Sequence, residues 1–383
     1  MRIAVNTRFL LKDKLEGIGW FTFETLKRIT RQHPEHQFIF LFDRPFDENF
    51  VFGENVSPVV IGPQARHPFL WYWWFERSVP KALKKHKADL FLSTDGFLSL
   101  NSDVPTVLTI HDIAFEHFED HVSSWVQSFY QKYTPRYAKA AVRINTVSEF
   151  TKQDVSTRYG ISPEKVDVVY NGANEVYRPV DKTEQEEIKA ELTDGAPYFL
   201  FTGAIQPRKN IANLFRAFDE FKKSDHRGFK LLIVGRKAWK FREIISVYDA
   251  MEYKSDVIFI GHQSAEKLAK ITGSAEALVF PSLFEGFGIP IVEAMYAEIP
   301  VITSNISSMP EVAGDAGMLV DPNNPFEIAD AIKKLVNNNA LKTSLVDKGR
   351  IQRQQFSWDL TADRYWDSVE KAINVMSEEK AKT

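Results

Sequence analysis

Residues 280–295 read FPSLFEGFGIPIVEAM, an apolar run that is interrupted by the carboxylates of Glu285 and Glu293. The segment ALVFPS (277–282), which leads into it, is almost continuously apolar, as is typical of a strand buried on both faces of a parallel sheet. Pro290 suits the first turn of a helix. The stretch therefore predicts a buried strand, a loop and a helix, which is the repeating unit of an α/β fold.

The same alternation of short β-rich segments and longer helical patterns continues in both directions along the chain. In the first half we predict strands at RIAVN (2–6), QFIFLFD (37–43), ADLFL (88–92), TVLTIHD (106–112) and RINTVS (143–148). In the second half we predict them at PYFLFTG (197–203), FKLLIVG (229–235), DVIFIG (256–261), ALVFPS and PVITS (300–304). Segments with helical periodicity lie between the strands, so both halves are expected to be Rossmann-like, doubly wound parallel sheets.

The length of the chain predicts two domains, because 383 residues exceed what one hydrophobic core usually supports. The polar, acidic stretch 178–197 has a proline near each end and is typical of a linker that runs into a surface helix. We predict a first domain over residues 1–178, a second over 179–357, and a last helix, 358–383, that can cross back onto the first domain. Two such domains present the carboxyl ends of their strands to a central cleft, where ligands of these folds bind.

The composition excludes several classes of protein. The net charge of -3 argues against nucleic acid as a partner, because phosphate-tracking surfaces need clustered positive charge. The chain has no cysteine, which excludes a disulfide framework and thiolate metal sites. The first residues, MRIAVNTRFLL, are typical of a strand and not of a signal peptide, and no stretch approaches the roughly 20 apolar residues of a spanning helix. We expect a cytoplasmic protein.

One loop of the second half carries two adjacent cations. GAIQPRKNI (203–211) follows a predicted strand and places Arg208 and Lys209 just before a helix, whose dipole and free N–H groups favour an anion. Arginine offers a planar fork to phosphate oxygens and lysine a compact charge. A solvated surface pair is the ordinary interpretation of such residues, but their position at the carboxyl end of a strand favours an anion site.

The loop of the opening stretch carries two carboxylates at related positions. Gly286 and Gly288 let the backbone approach a ligand closely, and each carboxylate can accept two hydroxyl hydrogens. Glu285 lies in the loop and Glu293 about one turn into the helix, which suits two vicinal diols. Taken singly, each is also explained as a helix cap or a first-turn acid. Together with Arg208 and Lys209, they predict a site for a sugar that is linked through a diphosphate to a nucleoside.

Two loops of the first half are further candidates. In IHDIAFEHF (110–118), His111 ends a strand and can hydrogen-bond a substrate hydroxyl or the reacting centre, although a single histidine is often structural. In KDKLEGIGWFTFETL (12–26), Gly17 and Gly19 precede a helix but match the dinucleotide fingerprint poorly, because Thr22 occupies the last glycine position. A dehydrogenase is therefore disfavoured, whereas a loop that closes over a phosphate or an acceptor fits.

The stretch HPFLWYWWFERSVPKALKKHKADLF (67–91) has two interpretations. Five consecutive aromatic residues followed by four lysines can rest on a membrane surface that carries a lipid-linked acceptor. Alternatively, the aromatic residues pack under a helix whose other face is basic and solvated. The second interpretation is favoured, because helical spacing spreads the five rings around the axis.

These motifs resemble, over nearly the whole chain, the retaining glycosyltransferases of family four, which have the two-domain GT-B fold. Within that family the chain looks most similar to bacterial mannosyltransferases of surface-polysaccharide assembly. The resemblance is carried by GIGWFTFETL, TIHDIAF, NTVSEFTKQDV, VVYNGAN, GAIQPRKNI, LLIVGRKAW, VIFIGHQS, FPSLFEGFGIPIVEAM and SSMPEVAGDAGMLVDP.

The resemblance implies a role for each candidate residue. Arg208 and Lys209 would hold the donor diphosphate, Glu285 would contact the hexose hydroxyls, and Glu293 would contact the ribose diol. His111 would lie near the C6 oxygen of the transferred sugar. The remaining donor-binding residues would border the phosphates, the sugar or the nucleobase: Gly17, Gly19, Gly203, Gly261, His262, Phe287, Gly288 and Ile289. The implied donor is GDP-mannose, and the implied acceptor is a glycan or a lipid-linked oligosaccharide at the inner face of a membrane.

Two residues depart from the family pattern. Ala204 stands where the family often has an arginine after Gly203, so diphosphate binding would rest more on Arg208 and Lys209. Glu298 stands where a glycine typically ends the helix, and we expect a different helix end there because a positive φ is costly for a residue with a Cβ.

No Asp-x-Asp sequence occurs in the chain, so the usual metal-chelating signature of sugar-nucleotide enzymes is missing and neither a metal nor a cofactor is expected. Three alternatives stay open: a UDP-sugar-dependent transferase, a sugar-nucleotide epimerase, and a sugar-nucleotide-binding protein without catalysis. A pyridoxal-dependent phosphorylase is disfavoured, because no lysine has a suitable local context.

Overall fold

The structure is a computed structural model, and it describes residues 1–12, 15–118, 122–236 and 242–382. The chain divides into two compact units, one formed by residues 1–172 with 358–383 and the other by residues 173–357. Residues 173–178, which the sequence assigned to the first domain, belong to the second unit in this division. The last three residues of the motif LLIVGRKAW lie outside the described residues.

The first unit is built on a seven-stranded parallel sheet in the order β3-β2-β1-β4-β5-β6-β7. Its strands are β1 (Arg2–Asn6), β2 (Gln37–Phe42), β3 (Val56–Val60), β4 (Leu90–Ser93), β5 (Thr106–Ile110), β6 (Arg143–Thr146) and β7 (Val166–Val168). Helices α1 to α5 are Gly17–Gln32, Pro68–Trp73, Val79–His86, Ser124–Ala140 and Glu149–Tyr159, with a π-helical turn at Trp74–Ser78 between the second and third.

The second unit contains a six-stranded parallel sheet in the order β10-β9-β8-β11-β12-β13. Its strands are β8 (Tyr198–Thr202), β9 (Lys230–Val234), β10 (Val257–Gly261), β11 (Ala277–Phe280), β12 (Val301–Ser304) and β13 (Gly317–Val320). Helices α6 to α13 are Lys182–Thr193, Ile211–Lys222, Arg242–Asp249, Ala265–Gly273, Ile289–Tyr296, Met309–Ala313, Pro325–Val336 and Asn339–Gln352.

The predicted alternation of strands and helices is confirmed, and the three additional strands all lie at sheet edges. β4, β5, β8, β11 and β12 are buried along their whole length, which explains their continuous apolar sequences. The additional strands β3, β7 and β13 are only partly buried. Their sequences therefore lack a continuous apolar signal, and the proline of β3 is tolerated because this strand has one free edge.

The last helix, α14 (Trp358–Lys382), belongs to the first unit and packs on α1. The ring of Phe21 in α1 lies 6.5 Å from that of Trp358 and 6.2 Å from that of Tyr365. The hydroxyl of Thr361 donates a hydrogen bond of 2.7 Å to the carbonyl of Tyr170. Within the described part of the chain, no helix has the length and apolarity that a membrane crossing requires.

Both sheets have the same doubly wound order, so each contains one point at which the strand order reverses. In the first unit this point lies between β1 and β4, and in the second between β8 and β11. The crossover helices diverge to opposite faces at a reversal, which opens a crevice at the carboxyl ends of the two strands. The loops that leave β8 and β11 are therefore the places to look for a ligand site in the second unit.

Candidate active site

Two loops of the second unit meet at its point of strand reversal. Arg208 and Lys209 lie in the loop after β8, and Glu285 lies in the loop after β11. The backbone N–H of Leu283 donates to the carbonyl of Arg208 at 2.8 Å, which joins the two loops directly. The sheet thus brings the segment of Arg208 and Lys209 next to the segment of Glu285. The sequence analysis assigned all three residues to one site.

The side chains of these three residues form one charged cluster. Lys209 Nζ donates to Glu285 Oε1 at 2.6 Å, and Arg208 Nη1 donates to Glu285 Oε2 at 3.1 Å and to the carbonyl of Phe284. Only 12% of the Lys209 side chain, 11% of Arg208 and 9% of Glu285 is exposed. An arginine and a lysine therefore share one carboxylate, and the formal charges of these three largely buried side chains sum to one positive unit.

The backbone at Glu285 is fixed by two serines that follow β12. The N–H of Glu285 donates to Ser307 Oγ at 3.0 Å, and the hydroxyls of Ser307 and Ser308 donate to its carbonyl at 2.7 and 2.9 Å. The hydroxyl oxygen of Ser308 also lies 3.0 Å from the carbonyl of Phe287, which is its alternative acceptor. The loop is thus held before any ligand arrives. The two serines belong to the quoted motif SSMPEVAGDAGMLVDP, but sequence reasoning gave them no role.

The charge state of Glu285 follows from its neighbours. Burial on its own would raise the pKa of Glu285, but the positive charges of Arg208 and Lys209 outweigh burial and lower the pKa from 4.5 to about 2. Glu285 is therefore ionised throughout the physiological range. An ionised carboxylate only accepts hydrogen bonds, so it can bind hydroxyl groups but cannot donate a proton.

Glu293 has the opposite electrostatic setting. It is the fifth residue of α10, which begins after Gly288, and it is half-buried. Burial raises the pKa of Glu293 to about 7, and the neighbouring hydroxyl of Tyr177 opposes this rise only in part. Sequence reasoning missed Tyr177, because it lies more than a hundred residues earlier in the chain. Only the fold brings the two together.

Glycines allow close approaches around the cluster. A Cβ on Gly235 would lie 1.8 Å from the carbonyl oxygen of Gly203, so the ends of β8 and β9 can meet only with a glycine there. A Cβ on Gly203 would lie 3.7 Å from Cε of Lys209. Gly203 therefore lies beside the cluster, and its role as a donor-binding residue stays a prediction.

The other candidates of the second unit lie at strand and helix ends. Gly288 has a φ of +96° and caps α10, Ile289 is the first residue of that helix, and Phe287 is buried with its ring edge-on to Phe356. Gly261 ends β10 with a φ of +70°, and the exposed His262 follows it. The N–H of Gly235 donates to the carbonyl of Gly261 at 2.9 Å, which connects the end of β10 to that of β9.

The remaining candidates, His111, Gly17 and Gly19, lie in the first unit. His111 follows β5, and its Nε2 lies 2.8 Å from the carbonyl of Thr94. A carbonyl can only accept, so Nε2 carries the hydrogen and Nδ1 keeps a lone pair. Burial lowers the pKa of His111, so its ring is neutral at neutral pH. Gly17 begins α1, and a Cβ on Gly19 would lie 2.9 Å from the carbonyl oxygen of Phe9.

Sequence reasoning also missed a buried ion pair near His111. Arg8, which follows β1, donates through Nε to Asp95, which follows β4, and less than a tenth of either side chain is exposed. The Arg8 guanidinium lies over the ring of Phe97 at 4.4 Å. A single arginine after a strand and an aspartate in an Asp-Gly turn give no signal from which this pair could have been found.

No group of three or more histidine, aspartate or glutamate residues that could hold a metal ion occurs among the residues that the structure describes.

Comparisons with known proteins identify the family. Two family models match: Glycosyl transferases group 1 over residues 182–352, and Glycosyltransferase Family 4 over residues 15–176. The O-antigen chain mannosyltransferase RfbU of Salmonella typhimurium is 31% identical over 273 residues, which are 70% of this chain and 71% of that protein. This chain belongs to the group 1 glycosyltransferases. The O-antigen chain mannosyltransferase B of Escherichia coli is 26% identical to this glycosyltransferase over 362 residues, 91% of this chain and 94% of that protein.

Solved structures agree on the fold. The crystal structure of HepE from Anabaena in complex with UDP-glucose superposes on this glycosyltransferase with a TM-score of 0.76 at 16% identity, and the match covers 97% of this chain and 100% of that one. The fold class that the sequence predicted, two Rossmann-like parallel-sheet domains of the GT-B type, is confirmed, and so is the resemblance to the family.

The two glutamates predict opposite dependences of stability on pH. Because the folded pKa of Glu293 is raised from 4.5 to about 7, this residue lowers the free energy of unfolding progressively as the pH rises through that window. We expect Glu293→Gln to be more stable relative to wild type at pH 8 than at pH 5, as measured by urea denaturation.

Glu285→Gln is the control: the folded pKa of Glu285 is lowered to about 2, so the stability that it confers is lost only below pH 4.5. Its difference from wild type should be equal at the two pH values, and an equal difference for Glu293→Gln would contradict the assignment.

Proposed function

We propose that this glycosyltransferase moves a mannose from GDP-mannose to a hydroxyl of a glycan or lipid-linked acceptor, with retention of the anomeric configuration and without a metal ion. The observation that carries the proposal is the Arg208–Lys209–Glu285 cluster at the strand reversal of the second unit. The mannose is supported by two relatives that are O-antigen chain mannosyltransferases.

The cluster suits a diphosphate leaving group. Arginine has five N–H donors and lysine three, which suits the several oxygens of a diphosphate. In the proposed site these donors bind phosphate oxygens, and the formal positive excess of the three side chains offsets the charge that builds on the diphosphate as the glycosidic bond breaks. Fixed cations in a site with little water can stabilise this negative charge without a metal ion.

The proposed transfer takes place on one face of the sugar. The bond between the anomeric carbon and the diphosphate oxygen breaks, and the bond to the acceptor oxygen forms on the same face. The acceptor proton passes to the departing diphosphate oxygen, so that charge and atoms balance. Glu285, which is ionised throughout the physiological range, accepts hydrogen bonds from the hexose hydroxyls instead of acting as an acid.

Two further side chains orient the donor in this proposal. Glu293 lies one turn into α10 and accepts hydrogen bonds from the ribose diol when it is ionised. His111 is neutral with its hydrogen on Nε2, so Nδ1 can accept a hydrogen bond from the C6 hydroxyl of the transferred sugar.

A donor panel tests the proposed substrate. We expect GDP-mannose to raise the melting temperature more than GDP-glucose, UDP-glucose or UDP-galactose, and GDP release in the presence of octyl α-mannoside to be equally fast with and without EDTA. A larger shift with UDP-glucose, the ligand of the similar HepE structure, would identify UDP-glucose instead of GDP-mannose as the donor. Loss of activity in EDTA would overturn metal independence.

Removal of one cation tests the role of the cluster. Arg208→Ala should lower the turnover number by a factor that corresponds to about 2–4 kcal/mol of transition-state stabilisation, as for other preorganised donors. The matched control is Arg216→Ala, because Arg216 is an exposed arginine of the same unit that donates to Asn213. If turnover by Arg208→Ala equals that of the control, Arg208 does not stabilise the leaving group.

The first unit also carries a surface that suits the inner face of a membrane. Trp74 and Phe75 are buried, which agrees with the interpretation that the aromatic residues of the stretch 67–91 pack under a helix. Phe69 and Trp73 differ from them, because 60% of Phe69 and 48% of Trp73 is exposed. Trp125 of the neighbouring helix α4 is 63% exposed. Part of the aromatic run thus packs in the core, and part stays in solvent.

The charges around these rings are almost all positive. The segments 66–87 and 124–140 contain nine arginine and lysine residues, and all nine side chains are exposed. Their one acidic residue, Glu76, is buried and accepts from the N–H of Leu100. We call the exposed rings of Phe69, Trp73 and Trp125, together with these nine basic side chains, the aromatic–basic surface. Aromatic rings beside clustered cations favour the interface of an anionic bilayer.

Vesicle flotation tests the aromatic–basic surface. We expect the protein to float with phosphatidylcholine vesicles that contain phosphatidylglycerol, to float less in high salt, and not to float with phosphatidylcholine alone. The double variant Phe69→Ser/Trp73→Ser should lose flotation, whereas Phe326→Ser, at an exposed phenylalanine of the second unit, should keep it. Equal flotation of the two variants would exclude this surface.

A further inference from the structure

Four hydroxyl groups join the segment that includes β12 to the segment that follows β11. The backbone pairing of these two strands ends at Thr303 and Phe280. The hydroxyl of Thr303 donates to the carbonyl of Phe280 at 2.9 Å, and the hydroxyl of Ser304 donates to the carbonyl of Ser282 at 2.6 Å. Hydroxyl groups therefore continue the connection where the backbone pairing stops. We call the four side chains the hydroxyl ladder: Thr303, Ser304, Ser307 and Ser308.

Ser307 forms two hydrogen bonds with the backbone of a single residue. Its Oγ accepts from the N–H of Glu285 at 3.0 Å and donates to the carbonyl of Glu285 at 2.7 Å. One side chain thus binds both backbone groups of Glu285, as the opposite residue of an antiparallel strand would. Because Arg208 and Lys209 share the carboxylate of Glu285, the position of its backbone affects the whole charged cluster.

The backbone of Ser307 has a conformation that serine rarely adopts. Its φ is +62°, in the left-handed region, where a Cβ meets the backbone. Lys87, Asp194 and Glu298 also have a positive φ, but they lie at the ends of helices, where a left-handed residue is common. Asn210 is of a residue type that tolerates this region. Neither explanation applies to Ser307, and such strain persists where the surrounding structure imposes it, often at functional sites.

Ser308 also departs from the contact that its position favours. It is the N-cap residue of α11, where a serine oxygen usually accepts from a backbone N–H of the first turn. Within the described residues, the side chain of Ser308 accepts no such hydrogen bond. Its buried hydroxyl instead donates to the carbonyl of Glu285 at 2.9 Å. Two adjacent serines therefore have locally unfavourable arrangements, and both hydroxyls bind the backbone of Glu285.

We propose that Ser307 and Ser308 are positioning residues for Glu285, and that the strained conformation of Ser307 is retained because it places this carboxylate. The inference rests on the proposed function and adds two residues that act through Glu285. A carboxylate accepts from hydroxyl groups only within a narrow range of distance and angle. A displaced backbone at Glu285 therefore weakens its contacts with the hexose, and small displacements at a reacting centre slow turnover strongly.

Two substitutions of Ser307 separate positioning from stability. Ser307→Ala and Ser307→Gly both remove the hydroxyl, but only alanine keeps the Cβ and thus the strain. We expect both variants to lower turnover equally, by about ten-fold, in the assay of GDP release with octyl α-mannoside. We expect the affinity for GDP, which lacks the hexose, to stay unchanged in calorimetry. Ser307→Gly should nevertheless melt about 2–4 °C above Ser307→Ala, because glycine adopts a positive φ without strain.

Ser224 provides the matched control. This exposed serine of the second unit donates to the carbonyl of Phe221 at 3.2 Å, and its φ lies outside the left-handed region. Ser224→Ala and Ser224→Gly should both keep the turnover of wild type. Here the glycine variant should melt below the alanine variant, because glycine loses more conformational freedom on folding.

Hydrogen exchange, read by mass spectrometry, tests the contact itself. The N–H of Glu285 donates to Ser307, so residues 283–288 should exchange about ten-fold faster in Ser307→Ala and Ser307→Gly than in wild type or Ser224→Ala. Ser308→Ala should lower turnover in the same direction, because it removes the second hydroxyl at the carbonyl of Glu285.

Four results overturn the inference: wild-type turnover in both Ser307 variants, higher turnover in Ser307→Gly than in Ser307→Ala, a loss of GDP affinity that matches the loss of turnover, or unchanged exchange at residues 283–288. Failure of the donor proposal looks different. In that case wild type releases no GDP from GDP-mannose. Turnover is then measured with the nucleotide sugar that the donor panel identifies, and the exchange experiment tests Ser307 without a donor.

Discussion

The ion bridge from Glu285 to Arg208 and Lys209 is the interaction on which the account of this glycosyltransferase depends. Two cations this close together would repel each other in a site with little water, and the shared carboxylate removes most of that cost. The formal charges of the three side chains sum to one positive unit. In the proposed function, the cluster is therefore organised before the substrate arrives and attracts an anion, which is the condition for electrostatic catalysis without large rearrangement.

The fold supplies this bridge through the order of its strands. β8 and β11 are neighbours in the sheet, although more than seventy residues separate them in the chain, and the loop of each supplies one part of the cluster. The first unit repeats the strand order with different chemistry at its carboxyl ends: a neutral histidine and a buried ion pair. The same topology thus carries different side chains at the strand ends of the two units.

The sequence predicted the fold and the composition of the cluster, because both have local signals. Continuous apolar runs indicated the central strands, and charged residues directly after such runs indicated the loops. The sequence could not predict contacts between distant segments, such as Tyr177 with Glu293 or Ser307 with Glu285. The site-residue roles and the domain boundaries remain predictions.

One local expectation was wrong for a tertiary reason. A different helix end was expected at Glu298, because a positive φ is costly for a residue with a Cβ. The structure has the ordinary left-handed end there, with a φ of 59°, and the Glu298 carboxylate forms ion pairs with Arg350 and Arg353 at 2.5 and 3.2 Å. Ion pairs with Arg350 of α13 and with Arg353 of the turn after it offset the cost of the positive φ. These partners are distant in the sequence, so the local sequence could not predict them.

A crystal structure of the enzyme soaked with GDP-mannose tests the central claim most directly. The account predicts that oxygens of the diphosphate lie within hydrogen-bond distance of the Arg208 guanidinium and of Lys209 Nζ, with hydroxyls of the mannose at the carboxylate of Glu285. A bound GDP-mannose whose diphosphate contacts neither cation would contradict the account.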